Sequence, residues 1–191
     1  MLERLMMMVL LAGALLVFGC DKPASTAPPS STAAAKPSPA PAVTNHAPAI
    51  PGWPPVKAQP RLQTMQLYIG AEVVTAELAM NQIQIATGLM FRTVMPENEG
   101  MLFTFARPHR ASFYMRNTKL PLTLAYIDSE GVVLETRDMT PLDETPLEAA
   151  TDRVQYVLEM NRDWFKRHNI APGTVLVTEH GPLKNTFRFG P

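Results

Sequence analysis

Eleven of the nineteen prolines in this chain, together with ten alanines, fall between residues 21 and 60, interleaved with Ser and Thr and with few large apolar side chains. Proline removes a backbone donor and fixes φ, and a segment so poor in apolar bulk cannot offset the entropy of ordering. Residues 20–60 are therefore expected to form a disordered, partly polyproline-like linker. Trp53, in Gly52-Trp53-Pro54-Pro55, is its one large ring and reads as a solvated loop aromatic. The foldable remainder, residues 61–191, is long enough for one domain with one core. We place that domain at 61–180, followed by a tail at 181–191.

Ahead of the linker, Arg4, the uncharged run 5–18 and the small residue Gly19 follow the order of a secretory signal. Cys20 is the only cysteine. The stretch Val17-Phe18-Gly19-Cys20 resembles the bacterial lipobox, with Val17 where Leu is usual and bulky Phe18 where small residues are commoner. The resemblance implies a signal over 1–19, cleavage before Cys20 and a lipid on its thiol. The expected partner is then a membrane, and the expected location the cell envelope, exported and anchored. With no other cysteine, disulfides and thiol catalysis within the domain are excluded.

From Arg61 onward thirteen Lys and Arg face fifteen Asp and Glu, a net of minus two, which gives phosphate-backbone binding no electrostatic footprint; nucleic acid is not an expected partner. The charges are uneven. Residues 91–119 carry five cations against two acids, and residues 128–163 carry ten acids against three arginines, a division that suits pairing between the two stretches.

Two-residue periodicity dominates the domain and predicts strands. Residues 65–69 and 72–80 flank Gly70-Ala71 as a hairpin; 101–105 and 112–115 are apolar strands; 122–127 and 132–136 flank the turn formers Asp128-Ser129-Glu130-Gly131. Residues 141–151 read as an acidic loop, and 154–160 as a strand with Val154, Tyr156, Leu158 and Met160 on one face. Short helices are expected at 81–88, capped by Asn81, and at 162–168, where Trp164 and Phe165 would seal the core. The expected fold is α+β and β-rich: a single compact, barrel-like antiparallel or mixed sheet with two short helices.

Five blocks, Gly88-Leu89-Met90-Phe91-Arg92, Gly100-Met101-Leu102-Phe103, Phe113-Tyr114-Met115-Arg116-Asn117-Thr118, Pro121-Leu122 and Tyr156-Val157-Leu158-Glu159, resemble the DUF192 family in order and spacing. The likeness covers nearly all of the folded part and implies a small β-rich domain, often exported, whose biochemical activity is unassigned. Departures from the family pattern include Tyr114 for Trp, Arg116 for Lys and Thr123 for the Asp that commonly follows Pro-Leu.

Catalytic constellations are weak. Ser112, His109 and Asp128 include a nucleophile, a base and an acid but lack a nucleophile elbow, and Asp143 and Glu144 are adjacent in a loop, where extended neighbours diverge. His46, His109, His168 and His180 lack metal-ligand spacing. The eight methionines beyond the signal suit Cu(I), but four of them lie inside apolar blocks, where a flexible thioether fills gaps. No metal or cofactor is expected.

Arg92, Arg116, Asn117 and Thr118, at strand ends with Tyr114 beside them, are the candidate ligand-binding residues: cations and an amide around a mouth, suited to an anionic or hydroxyl-rich ligand such as a sugar. The competing structural role pairs Arg92 with Glu97 or Glu159 and leaves Asn117 holding a turn. The functional expectation is a non-catalytic binding or accessory module, with an envelope protein as a further candidate partner. The alternatives are an envelope hydrolase or transferase acting on a glycan, and a methionine-based Cu(I) carrier.

Overall fold

The computed structural model describes residues 54–189. The signal 1–19, Cys20, Trp53 and most of the linker lie outside the described residues. Gln59, at the linker's end, already touches the domain: its Nε2 donates to the carbonyls of Gln84 and Gly88 at 3.2 and 2.8 Å.

Ten strands and three short helices follow one another as β1 (Thr64–Ile69), β2 (Glu72–Ala79), α1 (Gln82–Thr87), β3 (Glu99–His109), β4 (Ser112–Phe113), β5 (Leu122–Asp128), β6 (Val133–Met139), β7 (Leu147–Glu148), β8 (Val154–Asn161), α2 (Trp164–Arg167), β9 (Leu176–Thr178), β10 (Gly181–Pro182) and α3 (Leu183–Thr186). Eight strands make one sheet in the order β10-β9-β1-β2-β3-β8-β5-β6, and β4 and β7 pair as a separate ribbon. All neighbours in the large sheet are antiparallel except β2 and β3, whose crossover carries α1.

The domain is β-rich and its sheet mixed, as expected, but the sheet is open rather than a barrel. Its ends approach at one point. Val132 bridges Val175, and the Leu176 amide donates to the Gly131 carbonyl at 2.8 Å. Closure depends on how far bulges and stagger bend a sheet, which periodicity does not encode.

Side chains alternate between two faces, and both faces are covered. On one, Leu67, Ile69, Leu78, Leu102, Tyr156, Leu158 and Met160 pack against Trp164 and Phe165 of α2 and Leu183 of α3. On the other, Met101, Phe103, Leu122, Leu124, Tyr126 and Val157 pack against Leu89, after α1, and against the small ribbon. The expected single core is therefore two, with β3, β8 and β5 central to both.

Three local expectations change. The tail is part of the domain: it supplies β10 and a third helix, with Leu183 fully buried. The strand expected at 112–115 stops at Phe113, because the chain turns where the Thr118 amide donates to the Met115 carbonyl at 3.0 Å. Val154 does not share a face with Tyr156, because a register shift between Ile127 and Asp128 sends it into the other core.

Candidate functional site

α1 begins in a capping box: the Asn81 side chain accepts from the Gln84 amide while Gln84 reaches back to the Asn81 amide, satisfying two otherwise orphaned donors. It ends at Gly88, in the left-handed half of conformational space with φ 49°, which turns the chain sharply downward into Leu89 and Met90. A few residues on, the Phe91 amide donates to the Asn117 carbonyl at 2.8 Å, with both residues at positive φ. That backbone bond ties the segment after α1 to the turn after β4.

Between these two segments lies a cleft of about 270 Å³. One wall is α1 and its exit, from Ile85 to Met90; another is Phe103, Phe105 and His109 of β3; the third is Ser112, Phe113, Tyr114 and Thr118. The rings are interlocked. Phe103 and Phe113 meet edge to face with centroids 5.0 Å apart, and Phe105 meets His109 the same way at 4.5 Å. Ring pairs so arranged add to the burial of their own area.

Glu159 of β8 also lines the cleft. It is opposite Met101 on β3 and Leu124 on β5, so its flanks are apolar. Only 5% of it is exposed, and among the described residues no donor forms a hydrogen bond to its carboxyl group. Burial alone pushes its pKa up to about 8, so it holds a proton at neutral pH. Its backbone is crowded as well: a methyl group at Gly100 would come within 2.5 Å of the Glu159 carbonyl oxygen and of the Met160 sulfur. Only glycine lets β3 approach β8 this closely at the acid.

The residues expected to form a mouth are divided. Tyr114 and Thr118 line the cleft, as does Met90. Arg92 does not; its guanidinium lies 2.9 Å from Glu77, neither of the acids expected for it, and Glu77 also accepts from the Leu62 amide at 2.7 Å. Arg116 is drawn outward by Glu144, at 2.6 Å, and lies over the Tyr114 ring 5.5 Å from its centroid. The Asn117 carbonyl accepts from the Phe91 amide of the segment after α1, and its own turn is closed by the Thr118 amide on the Met115 carbonyl. No Lys or Arg of the described residues lines the cleft.

Sequence reasoning passed over Glu159 as a site residue, though it quoted it. The usable signal was an acid enclosed by apolar residues in Val157-Leu158-Glu159-Met160, on a strand buried on both faces. The aromatic walls Phe103, Phe105 and Phe113 were read only as strand residues.

The catalytic constellations do not assemble among the described residues. The Asp128 carboxylate accepts from the Glu130 and Val132 amides, His109 Nδ1 faces the Arg107 carbonyl, and Asp128 is two strands from His109 across Val154. Asp143 is held by the Thr145 amide and Glu144 by Arg116. No group of three His, Cys, Asp or Glu is placed to hold a metal among the described residues. Met160 lies in one core and Met101, Met115 and Met139 in the other, all buried, which is core filling rather than convergence on an exposed site. No helix of the described residues is long and apolar enough to cross a membrane.

A mixed sheet with a buried acid under a ring-lined cleft defines a small β-rich α+β domain. The model of the DUF192 family, described as "Uncharacterized ACR", matches residues 65–178, and the chain belongs to that family. Two solved structures are similar. One, from Sinorhizobium meliloti 1021 and described as a "putative transcription regulator", is 29% identical with a TM-score of 0.61; the match covers 63% of this chain and 97% of that one. The other, from Novosphingobium aromaticivorans DSM 12444 and described as a protein of unknown function, is 37% identical with a TM-score of 0.58, covering 60% of this chain and 85% of that one. No curated protein matches.

Proposed function

We propose that this protein is a lipid-anchored envelope lipoprotein whose domain is a non-catalytic binding module, taking a small ligand with an apolar body and a hydrogen-bond donor. The observation that carries the reading is Glu159, a nearly buried carboxyl group that accepts no hydrogen bond among the described residues and opens onto a cleft lined by four rings, Phe103, Phe105, Phe113 and Tyr114. An unpartnered buried polar group costs about 1–3 kcal/mol, more if charged, and a ligand donor reaching it recovers that cost. The cleft volume falls near the lower edge of small-molecule pockets, roughly 300–1,000 Å³, which suits one ring.

The anionic ligand expected from the arginines finds no counter-charge in the cleft, because Arg92 and Arg116 are bound to Glu77 and Glu144. A hydroxyl-bearing ligand retains its support: its donor meets Glu159 and its C–H faces meet the rings. The description of the Sinorhizobium protein does not transfer, since the net charge of minus two from Arg61 onward offers nothing to a phosphate backbone. Anchoring rests on Arg4, the apolar run and Cys20.

A thermal-shift screen of the full chain in detergent against monosaccharides, muropeptide fragments and small aromatic alcohols and amines tests the reading. A ligand at a hundred times its dissociation constant adds about 2.7 kcal/mol, several degrees for a domain of this size. The shift should vanish in Glu159→Gln; a shift that persists there, or silence across the panel, counts against the cleft.

A further inference from the structure

We infer that the cleft takes an organic ammonium ion, a protonated primary or secondary amine on a compact apolar body, held by the Glu159 carboxyl group. The inference deepens the binding reading above and rests on it.

The electrostatic character of the cleft is one-sided. The rings of Phe103, Phe105, Phe113 and Tyr114 line the cleft, and a cation is attracted to an aromatic face; Tyr114 already meets the Arg116 guanidinium in this way, 5.5 Å from its centroid. Among the described residues, Glu159 is the one acid in the lining, and no Lys or Arg accompanies it. The nearest cation in its own row of the sheet is spoken for. Glu77, Met101, Glu159, Leu124 and Arg137 are in register across β2, β3, β8, β5 and β6; Glu77 is neutralised by Arg92, and Arg137 is at the exposed edge beside Glu135. The other titratable groups facing this region are His109 and Tyr114 in the cleft and Tyr126 in the core beneath.

Such a site discriminates by charge. An anion meets a carboxyl group and, among the described lining residues, no Lys or Arg. A neutral hydroxyl gives Glu159 one donor and leaves it protonated. An ammonium ion gives several donors and a full charge, so the low-dielectric surroundings that disfavour an isolated carboxylate strengthen the pair instead. The remaining N–H donors have acceptors within the lining: Thr118 donates its own hydroxyl hydrogen to the Arg116 carbonyl, leaving its oxygen lone pairs available, and Ser112 supplies a second hydroxyl. The balance is explicit: the ammonium ion and the neutral carboxyl become an ammonium–carboxylate pair, and one proton leaves to solvent.

Isothermal titration of the full chain with benzylamine and with its neutral counterpart benzyl alcohol, at pH 6, 7 and 8 and in two buffers of different ionisation enthalpy, tests this. Benzylamine should bind about tenfold more tightly for each pH unit gained while Glu159 is still protonated, with roughly one proton released at pH 7. Benzyl alcohol should bind at least tenfold more weakly, with no proton released. Glu159→Gln should abolish the preference for the amine, and His109→Gln should leave the pH slope in place. Equal binding of both compounds without proton release would overturn the ammonium inference and leave the cleft a binding site. Binding of neither would overturn the binding reading along with it.

Discussion

Glu77 and Glu159 occupy the same row and the same face of the sheet, separated by Met101 on the strand between them, and both are nearly buried, at 7% and 5% exposure. Their surroundings differ in one respect. Glu77 accepts from Arg92 and from the Leu62 amide, so its charge is met; Glu159 faces only apolar neighbours and the cleft. Burial of an acid is therefore not what marks a site in this fold. At Glu77 the carboxylate ties the segment entering β1 and the loop after α1 to the sheet, and removing its partner would damage the structure. At Glu159 no side chain or amide of the described residues meets the carboxyl group, which opens onto the cleft instead.

The largest way to break the comparison is pH. The folded-state pKa of Glu159 lies above its unfolded value, so between the two the native state holds a proton that the unfolded chain has released. Stability must then fall as pH rises through this window, by up to about 1.4 kcal/mol per unit from this group, and level off above about pH 8. Denaturation of wild type and Glu159→Gln across pH 5 to 9 should show the two diverging, with the variant gaining on the wild type as pH rises. Parallel curves would mean that Glu159 has a partner in solution.

Next is the paired acid. Arg92→Ala leaves the Glu77 carboxylate buried without its cation and should cost about 3 kcal/mol in urea unfolding, whereas Arg92→Ala together with Glu77→Gln should recover much of that. A smaller effect is expected at Asn81, whose cap fixes the helix forming one wall: Asn81→Ala should cost about 1 kcal/mol and weaken ligand binding without altering its pH slope. The smallest belongs to Arg116. Its pair with Glu144 is solvent-exposed, and Arg116→Ala should leave the melting temperature unchanged; a marked loss of ligand binding there would return it to the site.

Much of the fold was legible because its strands are short, alternating and separated by turn formers. The β1–β2 hairpin across Gly70-Ala71 and the β5–β6 hairpin across residues 128–131 are local structures, each signalled within one short stretch of chain. The parallel pairing of β2 with β3, the two-sided burial of β8 and the return of the tail as β10 and α3 are long-range outcomes, fixed by which faces find cover. The site was less legible for the same reason. Tyr114 and Thr118 were singled out at a strand end and do line the cleft, but Arg92 and Arg116, equally prominent in sequence, turn to acids whose positions only folding decides.

The sequence by itself determined the β-rich class, the caps and turns, the family and the presence of a single cysteine, because each depends on composition or on patterns written along the chain. Only the tertiary structure decided which of two acids in one row would be neutralised and which left facing a ring-lined cleft. The two carboxyl groups are chemically alike; what separates them is an arginine delivered from the loop after α1 to one strand and not to another, and no local pattern contains that choice.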